Sequence, residues 1–281
     1  MLGAPKCGTT ALMKHLSSHP QIHVSRPKEP NYFSFDLNTG GARAKTDQEY
    51  LERCFSGLDN ESAKVGLDGS VWYLYSEVAV QEILRFAPDA KMLVMVRNPV
   101  DMAYSLHSML SFLGHEDEVD FMNAWNKQEA RRSLRELPSP LVTDPKVFLY
   151  RDVCSLGSQL ERLFTQVERS RVHIELQDDL KQRPRDVHCG ILAFMGLEDF
   201  GKVNFEVVNA GRRTQSRLLF ALSRNAVARK TVISLKRLMG VRSFGIGRRD
   251  LAMTQEIRSL LANQFAEEID KIEEILARHL S

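Results

Sequence analysis

Gly3-Ala4-Pro5-Lys6-Cys7-Gly8-Thr9-Thr10 is the stretch that decides the fold. Two glycines let the chain curl tightly, and Thr9 to Ser18 (TTALMKHLSS) follows with helical spacing, Leu12 and Leu16 on one face. A glycine turn that opens a helix offers backbone N–H groups to an anion, and the helix dipole adds to the attraction. Thr9 and Thr10 contribute hydroxyl donors, and Lys6 places a cation beside the loop. Such a loop joins a strand end to a helix start. Only a very short first strand fits in front of it, or else the natural chain begins earlier.

Outward from the loop, apolar runs alternate with helical patterns. Ile22 to Val24 and Val65 to Leu67 read as short strands, Asp47 to Phe55 and Ser76 to Phe86 as helices, the latter with a serine cap. Lys91 to Val96 (KMLVMV) is a short apolar run closed by Arg97-Asn98-Pro99, the pattern of a buried parallel strand. Helical spacing returns over Pro99 to Leu113. Ser155 to Val167 predicts an amphipathic helix, Val172 to Leu176 a strand, and Pro184 to Met195 a helix with proline at its start. One helix is expected from Thr254 to His279. The alternation predicts an α/β fold: a P-loop-type central parallel sheet flanked by helices on both faces, in a single domain over residues 1–281 with a helical C-terminal part.

Composition limits the function classes. The 281 residues are 43% apolar and 26% charged, which excludes a disordered chain. Cys7, Cys54, Cys154 and Cys189 form no CxxC pair, so zinc-type spacing is absent and no disulfide framework is expected. No stretch reaches the roughly 18 uninterrupted apolar residues of a membrane span. No charged leader with an apolar stretch opens the sequence, and the expected location is the cytoplasm. The net charge of +2 predicts no nucleic-acid partner. Its distribution is uneven: residues 212–249 hold eleven Lys or Arg and no Asp or Glu. This segment reads either as a solvated helical face or as a rim that meets a nucleotide phosphate, an acidic substrate or an anionic membrane. Val227 to Leu238 within it has a basic amphipathic pattern.

The loop departs from the nucleoside triphosphatase pattern GxxxxGK[ST]. Thr9 follows Gly8, and the lysine, Lys6, precedes that glycine by two residues. A triphosphatase also needs an acidic residue at a neighbouring strand end to help hold magnesium. The best candidate strand ends instead in Arg97, which suits a phosphate contact. If the next helix turns back past the strand end, Arg97 and Ser105 can converge on one phosphate; alternatively Arg97 pairs with Asp101.

Pro5 to Thr10 resembles the 5′-phosphosulfate loop of sulfotransferases that use 3′-phosphoadenosine 5′-phosphosulfate (PAPS). Arg97 to Ser105 (RNPVDMAYS) resembles their 3′-phosphate motif, departing from it at Met102, where arginine is common. Lys28 to Phe33 (KEPNYF) and Asp68 to Leu74 (DGSVWYL) agree, in matching order over about residues 1–200. The likeness is nearer the Golgi-type and bacterial carbohydrate sulfotransferases, heparan sulfate enzymes included, than the cytosolic phenol and steroid enzymes.

The resemblance implies PAPS as co-substrate with no metal, and a glycan or small-molecule acceptor. Lys6 would stabilise the leaving phosphosulfate oxygen, with Cys7, Gly8, Thr9 and Thr10 around the donor. Glu29 is the implied general base, Lys28 a donor or acceptor-binding cation, and His107 a rival base more suited to packing. Trp72 or Tyr73 stacks near adenine or acceptor, or packs in the core. Arg212 or Arg213, with Arg217 as an alternative, reaches the nucleotide from a closing loop. Two other readings stand beside this one: an atypical P-loop kinase, and a non-catalytic anion- or membrane-binding module using residues 212–249.

Overall fold

The structure is a computed structural model that describes residues 1–39, 43–56, 63–139, 141, 143–201, 203, 205 and 253–280. These fall into two compact units, each assembled from separated stretches of chain. Of the described residues, the first draws on those within 1–99, 155–205 and 266–280, the second on those within 100–154 and 253–265.

In the first unit, β3 (Met92–Val96) pairs in parallel with β4 (Val172–Leu176), from Met92↔Val172 to Val96↔Leu176. All five β3 residues are buried, which is why MLVMV carries no polar face. The opening residues run alongside: Gly3 bridges Val94, Leu2 N–H donates to Leu93 C=O at 2.9 Å, and Ala4 N–H to Met95 C=O at 2.8 Å.

A second pair, β1 (Ile22–Val24) with β2 (Val65–Leu67), is also parallel. The α/β class holds, but the expected central sheet is two small ones. The chain after β2 lies against the opening residues, where Met1 N donates to Asp68 C=O at 2.7 Å. The Val71–Tyr75 turn borders residues 2–3, where Leu74 N–H donates to Leu2 C=O at 2.8 Å. Gly3 lies so close to that turn that a Cβ on it would sit 2.5 Å from the Val71 carbonyl oxygen, and its φ of +144° also requires glycine.

Helices α1 (Thr9–Leu16), α2 (Asp47–Cys54) and α3 (Ala79–Phe86) match the sequence expectations within a few residues. Ser76 caps α3, its Oγ accepting from Val78 and Ala79 N–H. His15 on α1 is buried and meets Phe205 edge-on at 5.0 Å.

The second unit contains α4 (Pro99–Leu113) beyond its first residue, α5 (Phe121–Asn126), α6 (Gln128–Arg132) and α7 (Tyr150–Cys154). At its centre Arg131 donates two hydrogen bonds to Glu116, at 2.7 and 2.9 Å, and Tyr150 OH donates a third at 2.6 Å. Both members of the ion pair are fully buried. Burial beside the Glu116 charge keeps the Tyr150 phenol protonated far above its ordinary range.

In the first unit follow α8 (Leu156–Phe164), α9 (Gln177–Gln182) and α10 (Pro184–Met195). The single C-terminal helix expected over 254–279 is two: α11 (Gln255–Gln264), capped by Thr254, and α12 (Ala266–Leu280). Phe265 breaks the run with φ −107° and ψ 9°. It is fully buried and meets Trp125 at 5.7 Å, so tertiary packing overrides an unbroken helical pattern. Among the described residues no helix is long and apolar enough to cross a membrane.

Candidate active site

The phosphate-loop residues lie at the carboxyl ends of parallel strands, the usual place for ligands in open α/β sheets. Gly8 is the N-cap of α1 with φ +87°, and it has no side chain to cap the helix. No acidic residue occupies the first turn. Gly8 thus offers no side chain to compete with an external anion for the amides that open α1. Lys6 also has a left-handed backbone, φ +66°, uncommon for a residue with a Cβ. Its carbonyl accepts from Arg97 Nη1 and from Gln177 Nε2, each at 3.2 Å.

Arg97 is thus a structural prop of the loop as well as a cation beside it. Its alternative partner, Asp101, accepts instead from Arg258 at 2.6 Å. Cys7 points inward: it is fully buried, its Sγ lies 3.5 Å from Pro5 C=O, and burial pushes the thiol pKa up to about 12. It is a small packing residue of the loop and no nucleophile.

Next to the loop, Lys28 Nζ donates to Glu29 Oε1 at 2.7 Å and approaches Thr9 Oγ1 at 3.5 Å. Both charged side chains remain partly exposed. Several contacts fix this pair. Ser25 Oγ donates to Lys28 C=O, and Asn31 N–H donates to Ser70 Oγ at 2.9 Å. Gly69 passes so close that a Cβ would meet Lys28 C=O at 2.8 Å. Asp68 anchors the other end, accepting from Tyr50 OH, Tyr73 OH and Ser70 N–H, each at 2.8 Å. The DGS sequence therefore seats the Lys28–Glu29 segment against α1.

The sequence pattern of the Sulfotransferase family matches residues 1–142, which include the loop, the Lys28–Glu29 pair and Arg97. This chain belongs to the sulfotransferase family.

Among relatives, the chain is 30% identical over 119 residues to the human bifunctional heparan sulfate N-deacetylase/N-sulfotransferase 1, a match covering 42% of this chain and 13% of that protein. It is 28% identical over 143 residues to rat carbohydrate sulfotransferase 15, covering 37% of this chain and 26% of that one. The chain thus spans well under a third of the length of these relatives. A solved sulfotransferase from Alicyclobacillus acidocaldarius is similar over 89% of this chain and 95% of its own, at 27% identity and a TM-score of 0.63. The kinship with carbohydrate and bacterial sulfotransferases expected from the motifs is borne out.

The remaining sulfotransferase candidates are placed as follows. Thr9 is buried and Thr10 exposed at the start of α1. Ser105 is half-buried on α4 in the second unit. His107 belongs to that unit's aromatic cluster, 5.5 Å from Phe121 and 5.8 Å from Tyr150. Its Nε2 lies 2.9 Å from Glu118 C=O, and burial holds its pKa below the ordinary histidine value. Packing is its role in the fold. Trp72 is buried in the Val71–Tyr75 turn, beside Tyr75. Arg212, Arg213, Arg217 and the whole 212–249 segment lie outside the described residues. Sequence reasoning missed Gln177, because its contact with Lys6 depends on strand pairing 80 residues away in sequence.

Proposed function

We propose that this sulfotransferase moves the sulfuryl group of PAPS to a hydroxyl or amine of a carbohydrate acceptor. The observation that carries the reading is the uncapped start of α1 at Gly8, flanked by Lys6 and by the Lys28–Glu29 pair. An anionic phosphosulfate suits that helix terminus, and an acceptor proton needs a carboxylate close by.

In the proposed reaction the acceptor oxygen or nitrogen attacks sulfur in line, and a new bond to sulfur forms. The bond from sulfur to the bridging phosphate oxygen breaks, leaving 3′-phosphoadenosine 5′-phosphate. Lys6 and the α1 amides neutralise charge growing on that oxygen, stabilisation that acts in the transition state. Glu29 takes the acceptor's proton, and Lys28 keeps the carboxylate oriented beside Thr9. The 3′-phosphate roles of Arg97 and Ser105 rest on the sequence motif, as does the acceptor class on the relatives.

Calorimetric titration of 3′-phosphoadenosine 5′-phosphate without added metal, with AMP as control, tests the donor. Tight binding that requires the 3′-phosphate supports PAPS. Equal binding of the two nucleotides, or none, refutes it and makes ATP with magnesium the next ligand to test.

A further inference from the structure

The geometry points to Gln177 as a positioning residue that, with Arg97, clamps the Lys6 carbonyl and so aims the Lys6 side chain. The inference rests on the PAPS reading for its catalytic consequence, but the clamp itself is a matter of geometry. Val96 and Leu176 are the last paired residues of β3 and β4. Arg97 and Gln177 are therefore the first residues beyond two neighbouring strand ends, and both reach the same carbonyl oxygen at 3.2 Å. A carbonyl has two lone pairs, and here two side-chain donors occupy them.

The clamp acts at the residue that needs it. Left-handed backbone is strained for a residue with a Cβ, so Lys6 holds φ +66° only if its surroundings impose it. Turning the Lys6 peptide to relieve that conformation would swing its carbonyl away from both donors.

Gln177 is also fixed in orientation. Its Oε1 is buried and has no hydrogen-bond partner among the described residues, so the amide end that matters is Nε2. The flipped amide would set oxygen against oxygen at Lys6. The Gln177 stem also runs close past the loop, since a Cβ on Gly8 would come 3.4 Å from Gln177 Cγ.

Gln177→Met keeps length and packing but removes the donor; Gln177→Glu puts an acceptor in its place; Gln177→Lys returns a donor of similar reach. The expected result with PAPS is a fall in kcat of about 10- to 100-fold for the Met and Glu variants, the scale of a reacting group misplaced by about an ångström. KM for PAPS should move much less, and the Lys variant should recover part of the lost kcat. Hydrogen–deuterium exchange over residues 1–12 should quicken in the Met and Glu variants. Wild-type kcat in Gln177→Met overturns the inference. So does a fall in kcat that tracks thermal stability and is not recovered by lysine, which would make Gln177 a packing residue only. Exchange unchanged from wild type overturns the clamp whatever the donor proves to be. If wild-type protein binds no 3′-phosphoadenosine 5′-phosphate, the PAPS reading falls, and the exchange result alone then decides the clamp.

Discussion

Gly8→Ala tests the phosphate loop most directly, and Gly196→Ala is its control. Both glycines are left-handed, with φ +87° and +75°. Alanine at either position pays about 1–2 kcal/mol for that backbone. The surroundings differ: a Cβ at Gly196 has nothing within 4 Å, whereas at Gly8 it meets Leu180 Cδ2 at 3.3 Å and Gln177 Cγ at 3.4 Å. These neighbours must yield by a few tenths of an ångström, which adds about 1 kcal/mol, the low end of overpacking costs. Denaturant unfolding should therefore find Gly8→Ala less stable than Gly196→Ala by about that amount. Titration of 3′-phosphoadenosine 5′-phosphate should separate them further. Displacing one charge-assisted amide contact is worth about 1.5–3 kcal/mol, so affinity should fall about tenfold or more at Gly8 and stay unchanged at Gly196. Equal stabilities and equal affinities would show that the start of α1 neither packs as described nor binds the phosphate.

Arg97→Ala should raise KM for PAPS and also lower kcat, because the guanidinium props the Lys6 carbonyl; steady-state kinetics showing a change in KM alone would remove the propping role. Glu29→Gln should cut turnover about 10²- to 10⁴-fold, the usual contribution of a general base, with nucleotide affinity by calorimetry preserved. Turnover near wild type would assign Glu29 to the Lys28 ion pair only. Cys7 gives a pH prediction. Its folded pKa of about 12 lies above the ordinary thiol value of 9.0, so its contribution to stability is present below pH 9 and is lost as pH rises toward 12. Urea unfolding of Cys7→Ala should show a shallower decline over that alkaline range than wild type; parallel curves would contradict the burial effect.

The sequence made much of the site legible because its signals are local. A glycine turn before a helical pattern marks the phosphate loop, and an unbroken apolar run such as Met92 to Val96 marks a buried strand. What escaped was set by partners distant in sequence. The role of Gln177 follows from the register of β3 on β4, which no window around Gln177 contains. The break at Phe265 is invisible in a periodicity that runs on through it, since the decisive contact is with Trp125. His15 is a further case: helical spacing predicts its helix, but its burial depends on Phe205, 190 residues on.

The buried Arg131–Glu116 pair shapes how this chain can vary. Removing one member of such a pair leaves the other charge stranded, at about 3–5 kcal/mol, a large share of a domain's total stability. Replacing both with apolar side chains of matching volume costs far less, and is neutral or stabilising in some proteins. The two positions are therefore energetically coupled, and each is intolerant only while the other keeps its charge. Random libraries carrying one change per gene will score both positions as immutable, while a library that randomises the pair together will recover folded chains. Tyr150 would then be freed of its carboxylate partner and would itself become open to phenylalanine.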